Sequence, residues 1–233
     1  MNFNEGEIIP VNKPYRMSSF GALAHVRFLI SKKAGVKRIK TGHAGTLDPL
    51  ATGVLILCTG KATKRIEELQ AHTKEYTATL QLGATTPSYD MEHPVDQTYP
   101  TAHITRELIE EKLKGFLGEI QQVPPAFSAC MVDGHRAYKM ARKGEKVELK
   151  PKTLRIDEIE LTDFNPETMQ MSIRVVCGKG TYIRALARDI GEALDSGAYL
   201  TALCRTRVGD IRLEDCVDFD HFQEWLDQQT LEQ

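Results

Sequence analysis

The chain has 233 residues, 41% hydrophobic and 27% charged, with a formal net charge of −2. That balance belongs to a soluble globular protein with a core of ordinary size, in one large domain or two small ones. No apolar run approaches a membrane span, and five scattered cysteines without a C-x-x-C pair argue against a disulfide framework or a zinc site.

The small net charge hides an uneven distribution. Residues 214–233 carry seven Asp or Glu and no Lys or Arg, which leaves 30 basic against 25 acidic residues in the rest of the chain. Met1 to Pro10 shows no basic start followed by an apolar core, so no secretory signal is expected and a reducing cytoplasm is the expected compartment.

In chain order, the first feature is Asn12-Lys13-Pro14 followed by Met17-Ser18-Ser19. Ser31–Lys40 then gathers Lys32, Lys33, Lys37, Arg38 and Lys40 without an acid. Such a run is either ordinary solvated surface or a phosphate-contacting patch with salt-sensitive binding. Next comes Gly42-His43-Ala44-Gly45-Thr46-Leu47-Asp48-Pro49-Leu50-Ala51-Thr52-Gly53-Val54-Leu55. Gly42, Gly45 and Gly53 permit tight or positive-φ geometry, and Pro49 pushes Asp48 towards extended backbone. Leu47 and Leu50 offer anchors on a core and leave Asp48 able to face outward. The segment therefore fixes a carboxylate in place, either to cap a turn or to do chemistry.

Val54–Cys58 is a short apolar run suited to a strand buried on both faces. Thr59-Gly60-Lys61-Ala62-Thr63 resembles part of a phosphate-binding loop, but Leu55 stands for the first glycine and Ala62 for the Ser/Thr, so nucleotide hydrolysis is excluded. Tyr76–Leu82 and Met169–Cys177 alternate apolar and polar residues as half-buried strands do. Pro87 to Pro100 is polar and turn-rich, and is expected to be a surface loop. Leu108, Ile109, Lys112, Leu113 and Phe116 share a helical face, predicting a helix that starts after Thr105 and ends near Gly118. Residues 124–152 begin Val123-Pro124-Pro125-Ala126-Phe127-Ser128-Ala129 and turn basic, with seven Lys or Arg from His135 to Lys152 against Glu145 and Glu148. Such an excursion could order on a polyanion.

Cys177-Gly178-Lys179-Gly180-Thr181-Tyr182-Ile183-Arg184 joins a strand to a helix whose apolar stripe is Ile183, Leu186, Ala187, Ile190 and Leu194. Arg184 falls in the first helical turn, where the dipole disfavours a cation. It is either an exposed arginine of no consequence or the partner of a carboxylate, with Asp48 the obvious one. Phe219, Phe222, Trp225 and Leu226 have helical spacing in the acidic tail. Strands outnumber helices without strict alternation, so the fold class is α+β with a mixed sheet.

The segment Gly42–Leu55 resembles the G-H-x-G-T-L-D-P-x-A-T-G-x-L motif of the TruB-type pseudouridine synthases, which isomerise a uridine in the T-loop of transfer RNA. Lys-Gly-Thr-Tyr-Ile-Arg at residues 179–184, Pro-Pro-x-Phe-Ser-Ala at 124–129 and Leu203-Cys204-Arg205-Thr206 extend the likeness from about Asn12 to Gly209. Arg16 departs from it, standing where the N-terminal K-P-x-G element has glycine.

The resemblance implies a pseudouridine synthase fold: a mixed, mostly antiparallel central sheet with flanking helices and RNA-gripping loops. It implies Asp48 as the catalytic group, Tyr76 stacked on the target base, Tyr182 and Arg184 beside it, and Leu203 lining the uracil pocket. His43 is expected to contact RNA in the space left by the flipped nucleotide. Lys13, Lys40, Arg136, Lys139 and Arg142 are the remaining expected RNA contacts. No cofactor and no metal is expected, because breaking the N1–C1′ bond and rejoining uracil through C5 needs neither. Many members continue into a small C-terminal RNA-binding domain of the PUA type. Here a catalytic domain over 1–213 and an acidic helix or tail over 214–233 are expected, with weaker or less discriminating RNA binding. The expected partner is the tRNA T stem-loop, with no protein partner and a monomeric state. The competing reading is a non-catalytic RNA-binding or folding module, which shares the basic segments but has no need of Asp48, Tyr76 and Arg184 together.

Overall fold

A computed structural model describes residues 1–231 apart from 129, 133, 145 and 146. Its contacts divide the chain into two compact units, one of residues 1–76 and 204–233 and one of residues 77–203. The acidic C-terminal segment belongs to the first of these units.

The first unit opens with β1 (Ile8–Lys13) and α1 (Ser19–Lys33), whose N-cap Ser18 accepts a hydrogen bond from the Gly21 N–H. Arg16, in the turn between them, has φ 63°. The chain thus keeps a left-handed turn where the motif it resembles has glycine, at the cost of about 1–2 kcal/mol that a side chain adds there. Then follow β2 (Thr41–Ala44), β3 (Ala51–Thr59), a 3-10 turn and α2 (Ile66–Ala71). The expected buried run at Val54–Cys58 is the centre of β3, where those five residues are at most 1% exposed.

The chain leaves this unit inside β4 (Lys74–Leu82), whose residues alternate between buried and more open as their sequence predicts. The second unit continues with β5 (Ala84–Thr85), β6 (Gln97–Thr98), α3 (Arg106–Lys114) and β7 (Gly118–Gln122). Thr105 caps α3 as expected, but the helix stops at Lys114, because Gly118 at φ 85° already starts a strand. The excursion after residue 124 contains the hairpin β8 (Met131–Val132) and β9 (His135–Arg136), then α4 (Ala137–Arg142). It leads into the long β10 (Lys152–Asn165), which pairs antiparallel with β7 and with β11 (Gln170–Cys177). Helix α5 (Ile183–Ala193) buries the predicted stripe.

The chain returns to the first unit inside β12 (Ala198–Val208), then forms β13 (Ile211–Arg212), β14 (Val217–Asp218) and α6 (Phe222–Asp227). Within the first unit the strand order is β14-β1-β3-β12, with β2 on β3 and β13 on β12; within the second it is β12-β4-β11-β10-β7. The pairings of β1 with β3, β2 with β3, β10 with β11 and β7 with β10 are antiparallel, while β14 lies parallel to β1, so the expected mixed, mostly antiparallel sheet and α+β class are found. No helix among the described residues is long and apolar enough to cross a membrane.

The predicted tail helix is present as α6, shorter than the apolar spacing suggests, with Phe219 just ahead of it. Phe222 and Leu226 are fully buried, Phe219 stacks at 5.3 Å on His25 of α1, and the Lys33 ammonium donates to the Leu226 carbonyl. Leu226→Ala is expected to cost about 2–5 kcal/mol, measured as a shift of the urea midpoint at unchanged slope. A change below about 0.5 kcal/mol would mean that the tail is not integral to the unit.

Candidate active site

Asp48 lies in an irregular loop between β2 and β3 and is half-buried. Three buried side chains, all within the first unit, hold that loop. The buried Ser19 hydroxyl donates to the Leu47 carbonyl and accepts from the Leu47 N–H, both at 2.8 Å. The fully buried Lys13 ammonium donates to the Pro14 and Met17 carbonyls and, at 3.4 Å, to the Pro49 carbonyl next to Asp48. The Arg205 guanidinium, 1% exposed, donates from Nη2 to Gly45 O at 3.0 Å and from Nε to Val54 O at 2.8 Å. One side chain therefore ties both ends of the loop. Leu47 is buried as the sequence suggests, while Leu50 is only partly covered.

The glycines make that attachment possible. Gly53 has φ 103°, and a Cβ there would lie 2.2 Å from the Arg205 carbonyl oxygen. Gly45, at φ 92°, faces the guanidinium itself, 3.4 Å from where its Cβ would be. Any side chain at Gly53 would push β12 off β3 and move the arginine that holds the loop.

Lys13, expected among the RNA contacts, is fully buried here with its ammonium on three backbone carbonyls. Burial lowers its pKa from 10.5 to about 8, against the attraction of Asp48 and with the repulsion of Arg205. His43 lies on β2, with its pKa lowered by burial and then by Arg205, and its Nδ1 is buried without a hydrogen-bond partner among the described residues. A neutral, uncommitted imidazole suits contact with a ligand group better than a phosphate clamp. Tyr76 is 8% exposed on β4, and Lys40 is exposed.

The second unit carries the other expected residues. Tyr182 caps α5, and its backbone is gripped by the fully buried Gln122, which accepts from Tyr182 N at 2.9 Å and donates to Tyr182 O at 3.2 Å. The Tyr182 hydroxyl lies 3.3 Å from Cys130 Sγ, and burial followed by that contact raises its pKa well above the ordinary phenol value. Arg184 is 5% exposed in the first turn of α5. Its guanidinium donates to Ser88 O at 3.2 Å and Phe127 O at 2.9 Å, and its Nε faces Asp90 Oδ2 at 3.8 Å. It is thus not an idle surface arginine.

Asp90 is a buried carboxylate that the sequence reading missed. The stretch from Pro87 to Pro100 is not simply surface: Ser88 is fully buried and Asp90 6% exposed, because their polar groups satisfy one another. The signal available was the Ser-x-Asp spacing, in which a serine and an aspartate two residues apart bond locally. Leu203 is half-buried on β12. Lys139 and Arg142 are exposed on α4, where Arg142 pairs with Glu92 at 3.2 Å, and Arg136 lies on β9. Among the described residues no group of three or more His, Cys, Asp or Glu could hold a metal ion.

Two family models match this chain. The model described as TruB family pseudouridylate synthase (N terminal domain) matches residues 32–183, and that of the tRNA pseudouridylate synthase B C-terminal domain matches residues 184–233. The chain is 69% identical to the tRNA pseudouridine synthase B of Bacteroides thetaiotaomicron, covering 100% of this chain and 98% of that protein. It is 59% identical to that of Parabacteroides distasonis, over 99% of this chain and 97% of that one. It is 41% identical to that of Francisella philomiragia, over 98% of this chain and 73% of that one. Among solved structures, a Cbf5-Nop10-Gar1 complex superposes with a TM-score of 0.69 at 27% identity, over 97% of this chain and 57% of that one. An H/ACA RNP bound to a substrate RNA containing 2′-deoxyuridine gives a TM-score of 0.67 at 26% identity, over 97% of this chain and 56% of that one. This fold is that of the pseudouridine synthases, which are isomerases. The chain belongs to the TruB family of pseudouridylate synthases.

Two outcomes test the loop clamp. Arg205→Lys keeps a charge but loses the planar fork that reaches two carbonyls, and is expected to cost about 3 kcal/mol in urea unfolding. For Lys13, the unfolded chain still holds between pH 8 and 10.5 a proton that the folded chain has released. Stability must therefore rise with pH across that window. The stability of wild type relative to Lys13→Met is expected to increase from pH 8 to 10.5, and a flat difference would contradict the depressed pKa.

Proposed function

We propose that this protein isomerises uridine to pseudouridine at position 55 in the T-loop of tRNA, with Asp48 as the catalytic group. The observation that carries this reading is the Asp48 loop, a half-buried carboxylate whose backbone is held at Gly45, Leu47, Pro49 and Val54 by three buried polar side chains. A turn cap does not need such restraint, whereas a group that must meet C1′ or a ribose proton of a flipped nucleotide does. An ionised aspartate serves either route: addition to C1′ as a nucleophile, or proton abstraction to give a glycal.

In this reading Arg184 also pairs with Asp48, and its own cradle of two carbonyls and Asp90 sets the direction of its guanidinium. Tyr76 stacks on the target base, and Tyr182 and Leu203 wall the uracil. Flipping costs a few kcal/mol, offset by this stacking and by contacts from His43, Lys40, Arg136, Lys139 and Arg142. Residues 1–213 carry catalysis and RNA contact, while 214–233 complete the first unit and repel phosphate. The reaction takes place in the cytoplasm, on the tRNA T stem-loop, by a monomer without a protein partner or cofactor.

Tritium release from [5-³H]uridine-labelled tRNA tests the reading. Wild type is expected to release tritium, and Asp48→Asn to fall by at least about 10⁴-fold, as for loss of an indispensable group. Release by Asp48→Asn at the wild-type rate would remove Asp48 from the mechanism. Arg184→Met is expected to lose turnover much more than RNA affinity; the reverse pattern would make Arg184 a phosphate contact.

A further inference from the structure

The Arg184 cradle is built from two separate stretches of chain. Ser88 O and the Asp90 carboxylate come from the segment after β5, and Phe127 O comes from the segment after β7. Nothing in the reaction chemistry accounts for what keeps those two stretches together around the guanidinium. Arg188 spans them further along α5, donating to Val123 O and lying over the Tyr89 ring, and a side chain that touches both walls of the cradle itself is His93.

Hydrogen-bond accounting fixes how it does so. The Ser88 hydroxyl lies 2.6 Å from Asp90 Oδ1, which as a carboxylate oxygen only accepts. The single Ser88 proton is therefore committed to Asp90. His93 Nδ1 lies 3.0 Å from the same Ser88 oxygen, and the only bond left is donation from the ring to the hydroxyl. His93 must carry a proton on Nδ1, and the chain of donors runs from His93 to Ser88 to Asp90. The Glu92 N–H adds a second bond to Asp90 Oδ1 at 2.9 Å, which leaves Oδ2 towards Arg184. On its other side the His93 ring packs on the Phe127 ring, with centroids 4.6 Å apart and planes tilted by 45°.

We propose that His93 is a positioning residue for Arg184: its Nδ1–H orders Ser88 and Asp90, while its ring holds Phe127, so that one imidazole locks both walls of the guanidinium cradle. The role deepens the proposed function, since Arg184 is the residue there assigned to Asp48. It predicts that the two halves of the imidazole have separable duties, and suitable variants separate them. His93→Asn places an amide N–H close to the position of Nδ1 and keeps the bond to Ser88, while His93→Phe keeps a ring on Phe127 and removes the donor.

The test has three arms on the full chain. Long-range ¹H–¹⁵N spectra of histidine-labelled protein, at a pH where the ring is neutral, should show His93 protonated on Nδ1 with a bare Nε2. Protonation on Nε2 would overturn the proposal. Hydrogen exchange at the Arg184 guanidinium should speed up in His93→Phe and stay near wild type in His93→Asn; equal protection in all three would also overturn it. In single-turnover assays His93→Phe should slow the tRNA reaction about 10- to 100-fold, the loss that misplacing a catalytic group by about an ångström brings. Binding of tRNA and thermal unfolding should barely change, and His93→Asn should recover most of the rate. Loss of affinity in step with rate, or no recovery by Asn, would make His93 a folding residue only. The first two arms need no activity, so a wild type that released no tritium would refute the tRNA reading and still leave the His93 cradle to be decided.

Discussion

Everything at the Asp48 loop depends on a buried guanidinium that bonds to backbone instead of to a carboxylate. Arg205 reaches Gly45 O with one nitrogen and Val54 O with another, and so sets the distance between the ends of the loop. A charged donor bonded to carbonyls gains about 1.5–3 kcal/mol per bond, and a planar fork loses less entropy in making two such bonds than a flexible ammonium would. The price is that the Arg205 backbone must come very close at Gly53, while Gly45 must hold a φ of 92° under the guanidinium. The glycines of the motif and the arginine more than 150 residues away form one device.

The same solution recurs. Lys13 is fully buried with its ammonium on the Pro14, Met17 and Pro49 carbonyls, and Arg184 is buried with its guanidinium on the Ser88 and Phe127 carbonyls. Carbonyl dipoles satisfy these donors without neutralising them. Each cation therefore keeps its field for a carboxylate: Lys13 feels that of Asp48, and Arg184 lies 3.8 Å from that of Asp90. Buried cations held in this way are costly to desolvate, as the depressed pKa of Lys13 shows, and a fold bears that cost where a substrate needs a preformed field.

The periodic elements were legible in the sequence because each depends on local spacing. The buried run of β3, the alternation of β4, the stripe of α5 and the Thr105 cap of α3 are all where the residues put them. The end of α3 was misjudged because Leu113 and Phe116 continue the helical spacing past Gly115, whereas the positive φ of Gly118 depends on β7 pairing with β10. Strand β10 was missed because only Ile156 on it is fully buried, so it lacks the apolar alternation that marks a strand. The region from Pro87 to Pro100 looked like a surface loop because Ser88, Asp90 and His93 are polar, and polarity in sequence does not reveal that polar groups satisfy each other in the interior.

The sequence by itself determined the family, the class of fold and the residues of the Asp48 loop, since a long motif with three glycines, a proline and a lone carboxylate constrains the backbone locally. Only the tertiary structure decided that Lys13 faces carbonyls rather than solvent, that Arg205 closes the loop, and that Asp90 and His93 stand behind Arg184. The physical reason is distance along the chain. Arg205 and Arg184 bond carbonyls roughly 60 to 160 residues away. A buried hydrogen bond is specified by where two backbones meet, and no local spacing encodes that meeting.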